Sequence, residues 1–153
     1  LEIELFTPKL KIRACREGAI LPEIVDKTSL FNIHANFNKV DIVKGFKKNN
    51  VFAQMKPIDG IIEIPSGCRV LVPTGLFLNI PQGYYVSILP NTNLFWLKGL
   101  DVVKQVVVSK EAHEIELFVT LVNTSDNEAV VSNEDCICIG LFQKFEDADI
   151  EVR

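Results

Sequence analysis

Three features of the sequence predict an all-β sandwich or barrel: hydrophobic residues recur with a period of two, the apolar runs are short, and Pro/Gly turn signals separate them. Residues 114–122 alternate so that Ile115, Leu117, Val119 and Leu121 share one face. Short strands are also expected over residues 61–64, 68–72, 76–80, 84–89, 102–108, 129–131 and 136–142. The punctuation between them is Pro65-Ser66-Gly67, Pro73-Thr74-Gly75, Pro81-x-Gly83 and Ser125-Asp126-Asn127. Helical periodicity is scarce, and there are no internal repeats or low-complexity segments.

The length of 153 residues fits a single domain, 1–153, with a substantial core. Hydrophobic residues make up 48% and charged residues 24%, as in ordinary globular proteins. A net charge of −4 gives no electrostatic reason to expect DNA or RNA as a partner. No apolar run approaches the roughly 18 residues of a membrane span, and no signal peptide is visible, so an intracellular site, cytoplasm or nucleus, is expected.

Cys15, Cys68, Cys136 and Cys138 are read as free thiols in a reducing compartment, with Cys136 and Cys138 alternating onto one sheet face. Only His34 and His113 accompany them, and no zinc-like spacing is present. Residues 36–60 break the pattern by mixing Lys39, Lys44, Lys47, Lys48 and Lys56 with Phe37, Val40, Ile42, Val43, Phe46, Val51 and Phe52. The stretch is expected to begin with a short helix and end in a strand or loop. Lys44, Phe46, Lys47 and Lys48 are its candidate partner-binding residues; a solvated charge run is the alternative.

Residues 70–90, VLVPTGLFLNIPQGYYVSILP, continued by Asn91-Thr92-Asn93-Leu94 and Gly99-Leu100-Asp101-Val102, resemble the trimeric dUTPase family over roughly residues 10–145. The resemblance implies a distorted jelly-roll or β-barrel sandwich, with residues 36–60 as an insertion. It also implies a homotrimer with pockets between subunits; a monomer is the alternative.

Compared with the family's motifs, several polar residues differ. In the first, Asn32 falls at an aspartate and Leu30 at a glycine. The second, usually Pro-Arg-Ser-Gly/Ser-Leu, reads Pro90-Asn91-Thr92-Asn93-Leu94, so Asn91 replaces a guanidinium able to grip phosphate through two hydrogen bonds. In the third, Gln105 stands at the glycine that admits uracil and Val108 at the aspartate that activates water; no tyrosine follows. Valine cannot accept a proton. Glu111 and His113 are the fallback candidates for a displaced base. In the fourth motif Asp135 and Ile137 match, whereas Ile139 replaces a glutamine. Asn123 matches the asparagine closing the preceding strand. The glycine-rich C-terminal arm is absent, and the chain ends in the acidic run from Glu146 to Arg153.

The expectation from these departures is a catalytically inactive dUTPase-like protein, a pseudoenzyme that binds a protein partner, with a viral or phage origin suggested by the resemblance. The alternative is a nucleotide-binding protein or an active dUTP/deoxynucleoside triphosphate diphosphatase with a remodelled site. Its deoxynucleotide would meet Asn91, Thr92, Asn93 and Asp101. No cofactor is expected unless the chain is active, in which case Mg²⁺ arrives on the substrate phosphates. A related branch that deaminates dCTP uses an arginine-serine pair and a strand glutamate; Glu114 and Glu116 are nearby, but the pair is missing.

Overall fold

The computed structural model describes residues 8–26, 28–109 and 115–153. Strands dominate, as the period-two patterning predicts. In chain order they are β1 (Lys11–Ala14), β2 (Leu30–His34), β3 (Val43–Phe46), β4 (Phe52–Met55), β5 (Ile61–Ile64), β6 (Arg69–Pro73), β7 (Leu76–Asn79) and β8 (Tyr84–Pro90). A helix α1 (Thr92–Lys98) follows, then β9 (Leu100–Val102), β10 (Gln105–Val108), β11 (Phe118–Asn123), β12 (Ala129–Ser132) and β13 (Cys136–Lys144).

Two antiparallel sheets form the body of the sandwich. One has the order β10-β8-β13-β2 and the other β4-β3-β6-β11-β9; β1-β7 and β12-β5 are two-stranded pairs. Alternation along each strand sends one face inward. Ile33, Val70, Val72, Val86, Ile88, Val119 and Leu121 are each at most 1% exposed and meet in a continuous core. At roughly 25 cal/mol per Å² of apolar surface removed from water, this burial is the main force holding the sheets together.

Some expectations are corrected. Residues 102–108 do not form one strand: Val102 ends β9 in one sheet and Gln105 starts β10 in the other, with exposed Val103 and Lys104 crossing between them. The strand expected over 114–122 is β11, starting at Phe118; Leu117, Val119 and Leu121 are buried, but Ile115 is exposed. Residues 36–60 hold no helix. They form the β3–β4 hairpin on the edge of the five-stranded sheet, turned through Asn50 at φ 65°. Asparagine tolerates that left-handed conformation better than most residues.

The thiols are also arranged differently. A register shift between Cys136 and Cys138 interrupts the β2–β13 ladder, so consecutive Ile137 and Cys138 are both buried while Cys136 is only half-buried. Such a bulge breaks strict alternation. Burial pushes both thiols up from their ordinary pKa, which keeps them protonated and unreactive. None of the four cysteines is paired.

Candidate functional site

The segment after β8 turns into α1 because Asn91 caps it. Asn91 is extended (φ −82°, ψ 109°), and its Oδ1 accepts hydrogen bonds from Asn93 N at 3.1 Å and Leu94 N at 3.4 Å. Its Nδ2 donates to the Cys136 carbonyl at 3.1 Å, fixing the turn to β13. Gly99 closes the helix at φ 67°, where a side chain would be strained. Asn91 is therefore occupied by the fold at both ends of its amide. Thr92 and Asn93 are exposed beside it. Asp101, half-buried on β9, accepts from the Val102 backbone N–H at 2.9 Å.

A shallow cavity of about 240 Å³ adjoins this turn, lined by Asn91, Asn93, Leu94, Leu97, Lys98, Asp135 and Cys136. Lys98 Nζ donates to the Val130 carbonyl at 2.6 Å, and Asp135 Oδ2 accepts from Ser132 N at 2.8 Å. Asn32 of β2 stands across from Ile139 of β13. Asp101 is not among the residues lining this cavity.

A second cavity, about 340 Å³, lies between β10, Leu78 of β7 and residues 115–118. Leu78, Val107, Leu117 and Phe118 supply apolar walls, and Gln105 and Glu116 the polar ones. Val108 ends β10 opposite Tyr85, half-buried. Glu111 and His113, the fallback bases, lie outside the described residues.

Glu116 is the carboxyl that the sequence analysis left without a role. Its Oε1 accepts from the Cys15 thiol at 3.6 Å and lies 3.6 Å from Arg16 Nε. Arg16 also pairs with Asp41 and donates to the Asn36 carbonyl at 3.3 Å. Glu116 Oε2 is enclosed and has no hydrogen-bond partner among the described residues. Burial raises the Glu116 pKa against the lowering influence of Arg16 and of the Cys15 hydrogen bond, with Asp41 adding a smaller upward push. The Cys15 thiol is raised too, by burial first and then by Glu116.

A pH dependence of stability follows. The folded state holds the Glu116 proton more tightly than the unfolded chain does. This group therefore favours folding most below the ordinary carboxylate range, and its contribution is lost as pH rises through the raised folded value. Glu116→Gln should flatten that part of a stability-against-pH curve measured by urea unfolding between about pH 4 and 8.

Among the described residues, no group of three or more His, Cys, Asp and Glu is placed to hold a metal ion. No described helix is long and apolar enough to cross a membrane. Lys44, Phe46, Lys47 and Lys48 are exposed on the β3–β4 hairpin, remote in sequence from both cavity linings. There Phe46 meets Phe52 edge-on at 5.6 Å, and the Arg69 guanidinium lies 4.9 Å over its ring.

Comparison with solved structures defines the class first. A variant of the Staphylococcus phage 80alpha dUTPase shares the fold with a TM-score of 0.71 at 10% identity, covering 97% of this chain and 90% of that one. The dUTPase of phage phi11 of S. aureus gives 0.71 at 9% identity, covering 95% and 96%. The architecture is thus the dUTPase-like jelly roll that the sequence resemblance implied.

The dUTPase family model matches residues 58–153, and the chain belongs to the dUTPase family. A deoxyuridine 5'-triphosphate nucleotidohydrolase of Finegoldia magna is 33% identical over 87 residues, 55% of this chain and 61% of that protein. The Aquifex aeolicus protein of that name is 39% identical over 69 residues, 45% of this chain and 46% of its own length. The chain thus spans about half to three-fifths of the curated relatives it matches.

These relatives overturn the expectation of a catalytically inactive, protein-binding pseudoenzyme, because they are named as nucleotide hydrolases. The expectation weighed side chains missing from several aligned motifs, and those departures do not outweigh the match of residues 58–153 to the family as a whole.

Proposed function

We propose that this chain is a dUTPase-type nucleotide diphosphatase. Water attacks a phosphorus of a deoxynucleoside triphosphate, and the bond between the α-phosphorus and the bridging oxygen breaks to release pyrophosphate and the monophosphate. The observation that carries this reading is the family match across residues 58–153, which contains both cavities' polar linings. Named relatives of the chain are dUTP nucleotidohydrolases.

In this reading the phosphates lie near the capped turn, where exposed Thr92 and Asn93 offer a hydroxyl and an amide, and Asp101 stands near the sugar. Asn91 holds the turn instead of the phosphate, since both ends of its amide are engaged. Mg²⁺ enters as part of the substrate, carried by the triphosphate oxygens, in keeping with the ion's preference for phosphates and water. Val108 has no proton-accepting group, so Glu111 or His113 takes the proton from the attacking water. A homotrimer completes the pockets, giving a solution mass of three times 17.2 kDa in light scattering.

The test is release of pyrophosphate from dUTP in the presence of Mg²⁺. Turnover should be readily measured for the wild-type chain. Glu111→Ala or His113→Ala should lower kcat by about 10²- to 10⁴-fold, the usual range for removing a general base. Absence of pyrophosphate release from every deoxynucleoside triphosphate would refute the proposal.

A further inference from the structure

We propose that the β3–β4 hairpin docks an acidic segment of a partner protein, which adds as an extra strand along the free edge of β4. This surface is separate from the nucleotide reading above and does not rest on it.

The hairpin lies outside residues 58–153, the part of the chain that matches the family model. Strand β4 ends the five-stranded sheet, and among the described residues no strand pairs with its outer edge. The Lys47 N–H donates to the Val51 carbonyl at 2.8 Å, which sets the phase of the antiparallel ladder. By alternation, Ala53 and Met55 turn their backbone groups toward β3, while Phe52 and Gln54 turn theirs outward. Outward donors and acceptors in that order are a template for one more strand.

Charge selects which strand. Residues 42–57 hold Lys44, Lys47, Lys48 and Lys56 and no acidic residue, in a chain whose net charge is −4. These lysines are exposed, and none forms an ion pair among the described residues. Lysines often guard a sheet edge against pairing, yet β4 itself carries none. They sit on β3, on the turn and just past Met55, and so frame the edge. A basic segment is repelled there and an acidic one attracted.

The face beside the edge is apolar. Phe46 and Phe52 are 40% and 49% exposed, and Leu71 continues the face on β6. Phe46 is fixed between Phe52 and the Arg69 guanidinium, which also donates to Asn50 Oδ1 at 2.9 Å. A surface held this way loses little freedom on binding. A strand alternating acidic with apolar residues fits it, with apolar side chains against the phenylalanines and carboxylates within reach of the lysines. Nucleic acid would use the lysines alone and leave the outward carbonyls of Phe52 and Gln54 unmatched.

The experiment follows backbone amide NMR shifts of the full chain as a peptide alternating glutamate with valine is added. Binding with a dissociation constant below about 1 mM is expected, with the largest shifts at Phe52–Met55. Lys44→Glu combined with Lys47→Glu should weaken it by about tenfold or more, and the same spectra show that this variant is folded. A peptide with lysine in place of glutamate should not bind. The acidic peptide with its backbone nitrogens methylated keeps its charge but loses its strand-pairing donors, and it should not bind either. Equal binding by the methylated peptide, or by a single-stranded oligonucleotide at the same residues, overturns the proposal in favour of a general polyanion surface. No shift at β4 with the unmodified acidic peptide overturns it outright.

Discussion

Asn123→Ala should destabilise the fold by about 3 kcal/mol, since it removes four side-chain hydrogen bonds at once, one of them to a buried carbonyl. Asn123 is fully buried at the end of β11. Its Nδ2 donates to the carbonyls of Ile64 at 2.8 Å and Asn127 at 2.7 Å, while its Oδ1 accepts from Ser125 N at 3.0 Å and Ser125 Oγ at 2.8 Å. Its backbone is engaged as well, with Cys68 and Gly67 at 2.9 Å each. This one side chain ties β5, β11 and the 124–127 turn together, and alanine can replace none of its bonds. A fall in melting temperature of about 10 °C is expected for a domain of this size. A melting temperature unchanged within about 2 °C would show that water takes over those bonds.

Gly45→Ala should detach the β3–β4 hairpin from the sheet. Gly45 is paired with Val70, and an added Cβ would overlap the Arg69 carbonyl oxygen and come within 2.9 Å of Val70 Cγ1. The obstruction is backbone, so no rotamer change relieves it, and forced overpacking of this kind costs about 1–3 kcal/mol or more. Since β3 and β4 form the sheet's edge, the damage stays local. Hydrogen exchange should quicken at Val43–Phe46 while β8 and β13 keep their protection. Uniform loss of protection across both sheets would contradict this picture.

How much of this was readable beforehand depends on the range of the interaction involved. Strands β5–β8, β12 and β13 follow from local alternation and turn residues, and the structure reproduces them within a residue or two. The helix was missed because its seven residues, TNLFWLK, expose Phe95, Trp96 and Leu97 and show no inward stripe beyond Leu94. Its signal was the bracket of Asn91 and Gly99, a helix-capping asparagine and a left-handed terminator. The 36–60 hairpin was hidden by lysines. Val43 and Gly45 point inward while Lys44 and Phe46 point out, a period of two that the charge run obscured.

Glu116 illustrates what local reading misses. Its partner Cys15 lies 101 positions away, so nothing local reveals that one carboxyl oxygen is held and the other left unmatched. The bulge at Cys136–Cys138 is similar, since a single inserted residue changes which thiol is buried without altering the apolar pattern. The aligned motifs invited too strong a conclusion from missing side chains, because the match of residues 58–153 to the family rests on the scaffold as a whole.

The amide of Asn91 bridges helix and strand whether or not a ligand is present. Any nucleotide arriving at that turn meets a surface already set, with no segment there left to fold around it. Association should then be fast and accompanied by little change in the chain's own motion at residues 91–94. Whatever adjustment substrate demands must come from elsewhere on its rim.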